Sequence, residues 1–87
     1  MKHETTIKGY EDIKLLAEDI SQLRYDALRE FLGQLGLCLY SDGLKDFQID
    51  KPELSSKLVE ASEKISRSAI DIKDAWKICE PYMKDKE

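Results

Sequence analysis

Apolar side chains recur along this chain at helical spacing in two long stretches, separated by one segment without that period. The first stripe runs Ile13, Leu16, Ile20, Leu23, Ala27, Phe31, Leu35 and Cys38. Its steps of three and four carry it through about seven turns at 3.6 residues per turn. The second runs Leu54, Leu58, Ala61, Ile65, Ala69, Ile72, Trp76 and Cys79 with the same mixture of steps. The spacing predicts a helix over about 10–39, a connection over about 41–50 and a second helix over about 51–80, after a flexible polar tail over 1–9. Glu11 and Asp12 suit the positive end of a helix dipole. Asp50-Lys51-Pro52-Glu53 combines a capping residue, a proline in the first turn and a capping-box glutamate. Gly33 and Gly36 weaken the end of the first helix by roughly 1 kcal/mol each against alanine, which allows it to stop near Gly36. Pro81 ends or kinks the second.

The two stripes can be set against each other as an antiparallel hairpin. Ile13 with Cys79, Leu16 with Trp76, Ile20 with Ile72, Leu23 with Ala69, Ala27 with Ile65, Phe31 with Ala61 and Cys38 with Leu54 form one register, with Leu35 against Leu58. Several of these layers place large against small, as interdigitated packing prefers. Each of these pairs except Leu35 with Leu58 adds to 92 in residue number, so the midpoint falls at residue 46 in the connection. In that register Leu44, Phe47 and Ile49 would cover the closed end, and Tyr10, Trp76 and Tyr82 would plug the open one. A second possibility for 37–49 is a short β-hairpin turning at Asp42-Gly43.

One hairpin buries one seam only, which is little core for two helices this long. The first helix carries a further apolar flank at Tyr25, Leu28, Leu32 and Leu39, and the second carries Val59, Ser62, Ser66 and Ile70, mostly small side chains that permit close approach. A bulky flank meeting a small one across a two-fold axis would make a four-helix bundle from two hairpins. The expected fold class is therefore all-α, an antiparallel helical hairpin that dimerises into a four-helix bundle. The expected partner is a second copy, or another protein bound at the same flank.

The 87 residues are 41% apolar and 37% charged, with 18 acids against 14 Lys and Arg, for a formal charge of −4. The excess lies in the first part: residues 1–50 hold ten acids and six bases, and 51–87 hold eight of each. This balance disfavours phosphate-backbone binding, which needs clustered Lys and Arg, so no nucleic acid is expected. No apolar run approaches the roughly 18 residues that cross a bilayer, so no membrane is expected either. The first residues lack the apolar core of a secretory signal, and two cysteines are too few for a disulfide scaffold, which points to the reducing cytoplasm. Cys38 and Cys79 fall near opposite ends of the hairpin, too far apart to pair within one chain, and are expected as buried thiols.

Asp12, Asp19 and Asp26 recur every seven residues with Glu30 beside them. They read as a solvated flank, and as a docking ridge if the partner is basic. Glu60-x-x-Glu63 and Asp71-x-x-Asp74 lie on the second helix. This spacing resembles that of the all-helical nucleotide pyrophosphohydrolases, which bind Mg²⁺ through paired carboxylates on helices. The resemblance implies, as the alternative function, a Mg²⁺-dependent enzyme of that kind with its site across a dimer. Against it, the four carboxylates point away from the apolar face, and Glu60 with Lys64, Glu63 with Arg67 and Arg67 with Asp71 fit a salt-bridged outer surface. His3, the lone histidine, has no second ligand or base nearby, and no serine lies in a nucleophile pattern. No catalytic, cofactor-binding or metal-ligating residue is expected. The function expected is that of a small non-enzymatic interaction module: an adaptor, regulator or subunit.

Overall fold

The computed structural model describes residues 4–48 and 51–83, with side-chain environments for 4–45 and 51–82. Its elements are α1 (Ile13–Ser21), α2 (Tyr25–Gln48) and α3 (Pro52–Met83), and among the described residues there is no strand. His3, Ile49 and Asp50 lie outside the described residues, as does the side chain of Phe47.

The single first helix expected over about 10–39 is two helices. Asp12, with extended backbone at φ −152°, caps α1, its Oδ1 accepting from the Leu15 N–H at 2.9 Å. That satisfies one of the donors left over at any helix start. At the other end the Gln22 and Leu23 N–H groups donate to the Asp19 and Ile20 carbonyls at 3.1 Å each, tightening the last turn. Ser21 Oγ donates back to the Glu18 carbonyl. Arg24 then clamps Asp26, two residues on, a pairing that does not form on one helix face because neighbours there are three and four apart. The chain turns at 22–24 without glycine or proline, so the apolar stripe crosses the break unaltered.

α2 runs on through Gly33, Gly36 and Gly43 to Gln48. The β-hairpin considered for 37–49 is absent over the described part of that segment, and the long connection expected over 41–50 is mostly helix. The reason is packing. Gly36 lies against Ser62 and Ser66, and Gly43 against Ser55, Leu58 and Val59, so the absent Cβ atoms let two helix backbones come close. Burial along a helix–helix seam outweighs the propensity cost of the glycines. Ser55, Ser62 and Ala69, each seven apart, are the buried side of α3, with Ser62 only 4% exposed. Its hydroxyl donates to the Val59 carbonyl at 2.7 Å, which lets it be buried without an unmet donor. α3 opens at Pro52, where no N–H is needed, and passes through Pro81 to Met83.

α2 and α3 therefore run antiparallel, but not in the register expected. The contacting pairs around Gly36 and Gly43 add to between 98 and 102, and Arg24 over Trp76 adds to 100. Relative to the leucine-stripe pairing, α3 has slipped by about two turns and both helices have rotated to put small residues in the seam. The aromatic plug does not assemble. The Tyr10 hydroxyl donates to Asp19 Oδ2 at 2.9 Å, Tyr82 is exposed, and Trp76 lies under Arg24.

Candidate interaction surfaces

The surfaces of this pair of helices follow from the seam. With Gly36 and Ser62 taken as the facing directions and about 100° per residue, antiparallel helices carry equal angular offsets to the same side of the layer. One side is a groove walled by Asp26, Arg29, Glu30, Gly33 and Leu37 of α2 and by Ala69, Ile70 and Lys73 of α3. It is mixed in charge and widely open. Leu37 and Ile70, at 61% and 58% exposed, are its apolar points.

The opposite side is different in kind. On α2 it carries Leu28, Phe31, Leu32, Leu35 and Leu39, and on α3 Leu54, Leu58, Ala61, Ile65 and Ile72. Phe31 and Leu35 of the first stripe and Leu28, Leu32 and Leu39 of the further flank thus share a face with Leu54, Leu58, Ala61, Ile65 and Ile72 of the second stripe, side by side where the expected hairpin had the stripes opposed. Phe31, Leu35 and Leu54 are exposed, and the other seven are half-buried. α1 contributes no buried residue and does not close this face.

No family model, curated protein or solved structure matches the chain.

The eight residues singled out as a self-association or partner flank are divided between the two sides. Leu28, Leu32 and Leu39 are half-buried on the leucine-rich face, and Tyr25 is exposed at the start of α2. Val59, Ser66 and Ile70 fall toward the groove, and Ser62 is in the seam. The small side chains of α3 meet the glycines of their own chain. The signal for this is present in the sequence as two heptad spacings of small residues, Gly36 to Gly43 and Ser55 to Ser62 to Ala69. A search for large apolar residues passes over it.

Three of the four acidic residues hold local structure. Asp12 caps α1, Asp19 accepts from Tyr10, and Asp26 takes Arg24 Nε and Nη2 at 2.8 and 2.9 Å while accepting the Ala27 N–H at 2.8 Å. The Arg24 hydrogen bonds hold the Asp26 carboxyl below the ordinary aspartate range, against a smaller opposing effect of desolvation. The Asp19 hydrogen bond pushes the Tyr10 phenol up. Glu30 lines the groove.

Glu60, Glu63, Asp71 and Asp74 are all exposed, and among the described residues no three His, Cys, Asp or Glu side chains come together as a metal site. Glu60 pairs with Lys57 at 3.5 Å; the three expected pairs four residues apart are not closed among the described residues. Cys38 is exposed and Cys79 half-buried, so neither is the buried thiol expected from its place in the stripe.

Proposed function

We propose that this chain is a small non-enzymatic protein-interaction module, an adaptor, regulator or subunit of the cytoplasm, that acts as a homodimer of helical hairpins closed into a four-helix bundle. The observation that carries the reading is the surface left over when the chain folds alone. It presents 7294 Å² to solvent, whereas a compact monomer of 10.1 kDa presents about 5,300 Å². Its radius of gyration is 15.9 Å, against about 12 Å for a compact chain of this length. Among the described residues the only buried apolar side chain is Ala69. A folded layer of this kind gains its core by association.

The experiment is light scattering behind size exclusion, followed from micromolar to submicromolar protein. A mass near twice 10.1 kDa that persists on dilution supports the reading. A mass of one chain at every concentration overturns it.

A further inference from the structure

Resting on the homodimer reading, we infer that the leucine-rich face of α2 and α3 is the surface that a second copy covers, and that the groove of mixed charge on the opposite side stays outside the interface. Between offsets of about 200° and 340° on α2, residues 25–39 include no charged side chain; Arg24 and Asp42, both near 240°, bound this stretch at its two ends. Between about 240° and 340° on α3, residues 54–79 include none either. The uncharged strip on α3 is about 37 Å long at the rise of a helix. The groove side, by contrast, carries Asp26, Arg29, Glu30 and Lys73.

Three facts select a second copy as the occupant. The surface in excess of a compact chain, about 2,000 Å² over residues 4–24 and the α2–α3 layer together, leaves room for the ~800 Å² that each partner gives to a standard interface. A two-fold contact pairs a patch with itself, so a strip of uniform apolar character is self-complementary without any matching of charges. Each chain has a formal charge of −4, and two copies can meet without desolvating like charges only where charge is absent. Phe31, Leu35 and Leu54, exposed in the single chain, are covered by the second copy, Phe31 and Leu35 in the middle of the strip and Leu54 at its end.

The test compares Leu35→Glu on the leucine-rich face with Leu37→Glu on the groove side, by light scattering over a dilution series. Leu35 and Leu37 are both exposed in the single chain, so neither change buries a charge within it. Leu35→Glu is expected to weaken dimerisation by roughly 100-fold or more, since each interface would hold the new charge twice, while Leu37→Glu leaves it within about threefold. Hydroxyl-radical footprinting of the unaltered protein above and below its dissociation concentration supplies a measurement that holds even if Leu35→Glu fails to fold. Protection of Phe31, Leu35 and Leu54 with none at Leu37 and Ile70 supports the inference. A dimer that survives Leu35→Glu, or that protects Leu37 and Ile70 instead, overturns this choice of face while leaving the homodimer standing. An unaltered chain that is monomeric at every concentration overturns both.

Discussion

Arg24 stands over the indole of Trp76, its guanidinium carbon 5.3 Å from the ring centroid, while the same guanidinium grips Asp26 in two hydrogen bonds. One residue at the corner between α1 and α2 thus joins the start of α2 to the far end of α3. A cation over an indole face is worth roughly 0.5–1 kcal/mol at an exposed site. Its position also ties the single tryptophan to the geometry of the corner, which makes the corner observable.

The first prediction uses that. Because Arg24 holds the Asp26 carboxyl below its ordinary range, the folded pKa is depressed. The pair's contribution is then fully present above the ordinary aspartate range and fades as pH falls through the folded value. Trp76 emission is expected to shift in acid below about pH 4, before any loss of helix signal. In Asp26→Asn that acid step should be missing. An identical fluorescence titration in both proteins would show that the clamp does not position Arg24.

Alkaline pH acts at Tyr10, which donates to Asp19 of α1. The Tyr10 phenol, raised by its hydrogen bond to Asp19, is expected to ionise above the ordinary tyrosine range. A raised folded pKa stabilises below the ordinary tyrosine value of about 10 and loses that contribution as pH rises through the folded one. Carbon-13 titration of the Tyr10 ring checks this, and Asp19→Asn should return Tyr10 to the ordinary range.

Asp12→Ala removes the cap of a nine-residue helix that has no buried residue. A cap of this type contributes about 1 kcal/mol. Hydrogen exchange over α1 is expected to speed by roughly fivefold, about 1 kcal/mol of local stability, while protection in α2 and α3 is unchanged. Equal loss in all three helices would mean that α1 folds as one unit with the others.

The glycines of α2 should separate by what a methyl group would meet. At Gly33 there is nothing within 4 Å, so Gly33→Ala is expected to stabilise by about 1 kcal/mol from helix propensity. At Gly43 the new Cβ would lie 3.1 Å from Val59 Cγ2 and 3.3 Å from the Ser55 carbonyl oxygen, and at Gly36 2.8 Å from Ser66 Oγ and 3.3 Å from the Ser62 carbonyl oxygen. Overpacking of about 1–3 kcal/mol should cancel or exceed the propensity gain at both. Urea unfolding at fixed protein concentration measures the set; stabilisation of equal size at all three positions would rule out the close seam.

The helical period of the two stripes, the proline-led start of α3 and the scarcity of turn residues make the all-helical class legible in the sequence. Helix formation is local, and the alternation of apolar and polar positions reports it directly. The acidic side chains at 12, 19 and 26 were visible as a series, but their separate local partners were not. A cap and a clamp look in sequence like any other spaced acids. The break at 22–24 was equally hidden, because it is made by hydrogen bonds among ordinary residues.

Only the tertiary structure decided which faces meet. The sequence pattern puts the two apolar stripes in the seam and leaves Leu28, Leu32 and Leu39, with the small side chains of the second helix, as a flank for a partner. In the folded chain Gly36 and Gly43 seat on Ser55, Ser62 and Ser66, and the larger apolar side chains of α2 and α3 lie together on an outer face. Periodicity determines that a helix has an apolar side; it does not determine the angle at which that side meets a neighbour. That angle depends on how near the two backbones can come, and glycine facing serine permits an approach that leucine facing leucine forbids.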